Sequence, residues 1–129
     1  MKVLSLMQPF AELILQNRKT IELRKWKTKF RGEFLIHASK KESLEAMKKF
    51  GFSRELPTGQ IVGKAFLEDI KEYKSVEEFN RDKDKHLASK EYGKFGFILK
   101  NPERIKPISI KGKLHFWDFD GKIEKAVFY

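Results

Sequence analysis

The chain has 129 residues, 40% of them hydrophobic, with 12 Phe and no Cys, which excludes a disulfide framework and thiolate chemistry. That length suits one domain, 1–129, with a core of its own. A formal net charge of +10 and a pI near 9.7 attract polyanions.

No apolar run approaches the roughly 18 residues of a membrane span. The opening Met1 to Met7 is too short for a signal-peptide core, so a cytoplasmic protein with no membrane partner is expected. Val3 to Met7 reads as a buried strand, ended by Gln8-Pro9. Pro9 suits the first turn of a helix. Phe10, Leu13, Ile14 and Asn17 share one face at helical spacing, which predicts a helix from Pro9 to Arg18. Thr20 to Trp26 alternates as a strand. A basic connection, Lys27 to Arg31, leads through Gly32 to a third strand, Glu33 to Ala38. Ser39-Lys40-Lys41-Glu42 fits a capping box and predicts a helix ending before Gly51. Ser53 to Gly59 reads as a loop. Gln60 to Asp69 reads as a strand, where Gly63 and Ala65 permit close backbone approach.

Ser75-Val76-Glu77-Glu78 is a second capping box. It predicts a short helix, then a mobile, highly charged stretch with His86 in solvent. Tyr92 to Lys100 is a strand, and Asn101-Pro102 turns the chain. Asp120-Gly121 is a two-residue hairpin signal, so Lys122 to Phe128 is expected to close the sheet. Strands with a few short helices and no regular βα alternation predict an α+β fold. Its sheet would be curled, or a small β-barrel, with short helices covering the open ends.

The chemistry gathers in Asn17-Arg18-Lys19-Thr20-Ile21-Glu22-Leu23-Arg24. Strand alternation sends Ile21 and Leu23 to one face and Thr20, Glu22 and Arg24 to the other. Lys19 stands at the junction, close to that polar face. Arg18, Lys19, Arg24, Lys25, Lys27, Lys29 and Arg31 crowd one short span opposed only by Glu22. Trp26 and Phe30 interleave with them, a pattern that suits phosphates and a stacked base. The plain alternative is a solvated strand face with a local ion pair.

Gln8 lies at the helix entrance, where its amide reaches either a ligand or the backbone. His37 and Ser39 share a face near the end of the third strand. A His in that setting is more often a packed core residue than a catalyst. Phosphate-binding loops, dinucleotide fingerprints, zinc spacings, nucleophile elbows and helix-turn-helix signatures are all missing. No cofactor or metal is therefore expected. What remains is a pocket built from Lys19, Glu22, Arg24, Trp26, His37 and Ser39.

Three segments together resemble the ASCH domain family, within the PUA-like superfamily. They are Leu4 to Ile14, Arg18 to Arg24, and Leu35-Ile36-His37-Ala38-Ser39-Lys40. The family hallmark Gly-x-Lys-x-x-Glu-x-Arg is matched by Lys19, Glu22 and Arg24, with Asn17 in place of Gly. Asn tolerates a left-handed backbone better than most residues. Gly112-Lys113-Leu114-His115-Phe116-Trp117 resembles the family's Gly-x-Leu-Gly-x-Trp ending, with His115 in place of a Gly.

The resemblance implies a PUA-like barrel with a cleft beside the hallmark strand, and recognition of RNA or a modified nucleoside. Gln8, Lys19, Glu22, Arg24, Trp26, His37, Ser39 and Lys40 are the expected ligand contacts. Some relatives hydrolyse the amide of N4-acetylcytidine, and others have been described as nucleases. A Lys matching Lys19 serves the amidohydrolases, but Glu22 occupies the position of their catalytic Thr. If the chain is an enzyme, Lys19 and Glu22 are the expected catalytic pair, acting on a water. A third possibility is a regulatory domain whose basic face meets an acidic protein.

Overall fold

The computed structural model describes residues 1–126. Strand β1 (Lys2–Gln8) runs into helix α1 (Phe10–Leu15), then β2 (Ile21–Arg24) and β3 (Gly32–Glu42). Helix α2 (Leu44–Lys49) precedes β4 (Gln60–Glu72). Helices α3 (Val76–Arg81) and α4 (Lys83–His86) follow, then a single 3-10 turn (Lys90–Tyr92). Strands β5 (Phe95–Ser109) and β6 (Phe116–Asp118) complete the described elements. No helix among the described residues is long and apolar enough to cross a membrane.

The six strands form one sheet in the order β2-β5-β4-β3-β1-β6. β1 and β3 are parallel, and the other pairs are antiparallel. The fold is thus α+β with a curled mixed sheet. It is not a closed barrel: β2 and β6 are edges and share no ladder. Rings close the gap instead. Trp26, just past β2, lies 5.9 Å from Phe116 of β6 and 5.3 Å from Phe97 of β5. Phe30 and Phe34 reach the same Phe116 at 5.0 and 5.6 Å.

The alternation of β1 decides what lies on each side of the sheet. Leu4 and Leu6 enter the main core with Ile14, Phe34, Ile36 and Phe97. Val3 enters a second cluster on the other face, with Leu35, Ile61, Ile105 and Trp117. Ile21 and Leu23 of β2 pack against Tyr73 and Phe79, under α3. That leaves Glu22 and Arg24 on the opposite side of β2, as alternation requires.

Several expectations are corrected. Ser39 to Glu42 do not start a helix: β3 continues through them, because Gln8 of β1 pairs with Glu42. The helix cap is Ser43, whose hydroxyl accepts from the Ala46 N–H at 3.2 Å. Helix α1 stops at Leu15, sooner than apolar spacing predicts, because Asn17 turns left-handed at φ 59°. Asn101-Pro102 does not turn the chain. It sits inside β5 where the register against β4 slips, a bulge that spares the missing proline N–H. Asp120-Gly121 makes a bend rather than a hairpin, and the chain crosses to β5, where Ile105 bridges Lys125. The end of the expected last strand lies outside the described residues. The stretch after α3 is helical, and His86 within it is fully buried rather than solvated.

Candidate functional site

The turn from α1 to β2 aims Lys19 inward. Asn17 takes the left-handed conformation, and the N–H groups of Arg18 and Lys19 both bond the Leu13 carbonyl, at 2.9 and 3.1 Å. The Lys19 side chain is buried, and its ammonium donates to the His86 carbonyl. Nζ is 3.6 Å from Glu22 Oε1 and 5.0 Å from the centre of the Phe10 ring. Burial pushes the Lys19 pKa below the usual lysine range; Glu22 opposes that shift, and the Arg24 cation adds to it.

Glu22 receives a second cation from two residues on. Arg24 NH2 lies 3.1 Å from Glu22 Oε2 and donates to the Ser5 carbonyl at 2.7 Å. One carboxylate oxygen thus faces an ammonium and the other a guanidinium. Arg24 Nε is buried and has no hydrogen-bond partner among the described residues. Glu22 and Arg24 border a cleft of about 230 Å³, with Lys25 at its rim. Met7, Phe10, Trp26 and Tyr92 supply most of the remaining wall. Trp26 is half-buried and held edge-on by Phe97, Phe116 and His115.

A second cavity of about 560 Å³ lies next to it, between α2, α3 and the 3-10 turn. Phe10 and Tyr92 line both, their rings edge to face at 5.3 Å.

The structure thus brings Lys19, Glu22, Arg24 and Trp26 together. The other expected contacts stand elsewhere. Gln8 is buried and fully used: Oε1 accepts from the Glu12 N–H at 3.0 Å, and Nε2 donates to the Pro57 carbonyl at 2.9 Å. His37 sits on the far face of the sheet, between the Ser5 hydroxyl at 3.0 Å and the Ile110 carbonyl at 2.7 Å. Ser39 donates to the Lys41 carbonyl at 3.1 Å, and Lys40 is exposed on the same run of β3. Among the described residues no three His, Asp or Glu side chains group as metal ligands.

Sequence reading missed His86 and Tyr92. His86 Nε2 donates to the Phe79 carbonyl at 2.9 Å, which leaves Nδ1 to accept from the Ala88 N–H at 3.2 Å. That neutral ring holds in place the carbonyl that receives Lys19. The spacing of seven from Phe79 to His86 was the available signal, since it puts both on one helical face.

The ASCH domain pattern matches residues 4–109. The chain is 31% identical over 137 aligned positions to Activating signal cointegrator 1 of Mus musculus, and equally to that of Homo sapiens. Each match covers 95% of this chain and 23% of the relative, so the chain spans about a quarter of those relatives' length. The crystal structure of ASCH from Zymomonas mobilis superposes with a TM-score of 0.61 at 22% identity, and a point mutant of it with 0.64. These matches cover 84% of this chain and 72–73% of the Zymomonas chain, and show a shared fold. With the pattern spanning most of the sequence, the hallmark Glu and Arg lining one cleft and the hallmark Lys paired with that Glu behind it, the chain belongs to the ASCH domain family.

Proposed function

We propose that the cleft beside Glu22 and Arg24 receives one base of an RNA strand or of a modified nucleotide. The observation that carries this reading is the Glu22 carboxylate, fixed from both sides by cations at the edge of an aromatic-walled cleft. A carboxylate so held accepts from the amino and ring N–H groups of a base edge. Arg24 lines the same cleft, and its buried Nε has no hydrogen-bond partner among the described residues. A volume of about 230 Å³ suits one flat ring system and is below the roughly 300–1,000 Å³ of larger ligand sites. Lys25 at the rim, with the exposed Lys27, Lys29 and Arg31 beyond it, offers a path for phosphates.

Titration with single-stranded RNA and with nucleosides tests the reading. Arg24→Ala and Glu22→Gln should each weaken binding by about ten- to a hundredfold, the scale of one base-edge contact. Unchanged affinity in both variants would sink the cleft as the binding site.

An amide hydrolase using the same cleft is the second reading, favoured by the lowered pKa of Lys19. Against it, the Lys19 ammonium is occupied by the His86 carbonyl and Glu22, and Lys19 is not part of the cleft wall. Turnover of N4-acetylcytidine should therefore be absent. Turnover lost in Lys19→Ala and Glu22→Gln, yet kept in Thr20→Ala, would establish a water activated by the Lys19/Glu22 pair instead.

A further inference from the structure

The larger cavity has no role in the site described so far, although it shares a wall with it. Its floor is aromatic: Phe10, Phe50, Tyr73, Phe79 and Tyr92 all line it. Its rim is basic, with Lys49, Lys74, Lys83, Lys90 and Lys94 against Glu45 and Glu91. Glu91 already accepts from the Ser89 hydroxyl at 2.9 Å. Among the described residues only Lys94 of those lysines makes an ion pair, with Glu72 at 3.4 Å. The other four are exposed cations without a carboxylate partner in the described structure. Aromatic rings below and free ammonium groups above suit a base and its phosphate.

The partition between the two cavities is the Phe10–Tyr92 pair, two rings thick. Both residues line both cavities. A strand that places one base against Glu22 would meet the groove on the other side of that shared wall.

We propose that the groove between α2, α3 and the 3-10 turn holds the nucleotide adjoining the one in the Glu22 cleft, so that the protein binds a single-stranded dinucleotide step across the Phe10–Tyr92 partition. The inference rests on the cleft reading. It adds that a free nucleoside fills half of the site. An acidic peptide is the competing occupant. The aromatic floor and the shared wall with the cleft favour a stacked base over it.

The test compares the four nucleoside 5′-monophosphates with the matching 5′-phosphorylated ribodinucleotides, by calorimetry at one fixed salt concentration. Stacking of a second base predicts about tenfold or more tighter binding of the dinucleotide, well above the twofold that two equivalent bases give by statistics. The gain should fall to about twofold in K83E/K90E, while the monophosphate affinity, which also reports on folding, stays within about twofold of the unmodified protein. The variant K111E/K113E makes the same charge change near the far face of the sheet and should keep the gain. Equal affinity for mono- and dinucleotides would overturn the groove and leave the cleft reading intact. A gain that survives K83E/K90E, or is lost equally in K111E/K113E, would also overturn it. Binding of neither probe, or a groove taken by a poly-glutamate peptide with no response to nucleotides, would remove both readings.

Discussion

Lys19 and His86 stand back to back, the carbonyl of one accepting from the ammonium of the other, and both side chains are buried. Burial weakens the hold of the His86 ring on a proton, and the nearby Lys19 cation adds to this, against the bond to Phe79. The unfolded ring titrates near its ordinary value of 6.5, so it takes up a proton at a pH where the folded ring stays neutral. The stability this contributes is present above about pH 6.5 and is lost as pH falls through the lower, folded value. Glu12 and Asp82 act in the same direction, but only below their ordinary values of 4.5 and 3.8. Urea unfolding between about pH 8 and 5 should show a midpoint that drops on the acid side, with a flatter profile in His86→Gln. Superimposable profiles would rule His86 out as the source. Asn17 offers a second residue-scale test. It and His115 have φ of 59° and 55°, and both stand where the family pattern has Gly. The left-handed turn at Asn17 was therefore legible in the sequence, whereas that at His115 emerges only in the structure. Asn17→Gly should leave stability within a few tenths of a kcal/mol, whereas Asn17→Val should cost about 1–2 kcal/mol in denaturant titration.

Helix α1 has only six residues, too few to hold itself together, and tertiary contacts keep it in place. Arg104 of β5 grips Glu12 through two parallel bonds of 2.8 and 2.6 Å. Burial pushes the Glu12 pKa up, but the Arg104 bonds and charge outweigh it and hold the carboxyl below its ordinary value. Gly63 of β4 lets the helix come close: a methyl there would strike the Leu15 side chain and lie 2.7 Å from the Glu103 carbonyl. Arg104→Leu should lower stability by about 1–2 kcal/mol, since solvent around the 36% exposed arginine screens the pair. No loss in thermal or urea unfolding would show that α1 is held by its apolar face alone. Elements whose signals are local were readable in advance: β1, the buried face of α1, and the Ser75 cap, whose hydroxyl accepts from the Glu78 N–H at 3.1 Å. Elements decided by a distant partner were not. The length of β3 depends on β1 lying parallel beside it, and nothing in Ser39-Lys40-Lys41-Glu42 reveals that neighbour. Pro102 stops a chain locally, yet a bulge against β4 carries β5 past it. For the site, alternation along β2 placed Glu22, Arg24 and Trp26, while Gln8 is taken up by the Glu12 N–H and the Pro57 carbonyl and His37 falls on the far face of β3, neither of which local sequence reveals.

At the scale of the molecule, an excess of ten positive charges makes any strand-binding reaction sensitive to salt. The affinity for single-stranded RNA should fall linearly on a log–log plot, by about 0.7 per phosphate neutralised. Lys27→Glu with Lys29→Glu should flatten that slope and leave nucleoside affinity unchanged; an unaltered slope would place the strand elsewhere on the surface. The curled sheet has a consequence of a different kind. Its two edges are joined by side chains, and the ring at that seam, Trp26, is also a wall of the cleft. Ladder bonds hold neighbouring strands in one register, whereas a contact between rings lets the edges part and rejoin. A base lying against Trp26 would therefore bear on the seam of the sheet as well as on a pocket, and its arrival would slow amide exchange in β6, a strand that supplies no part of the cleft wall.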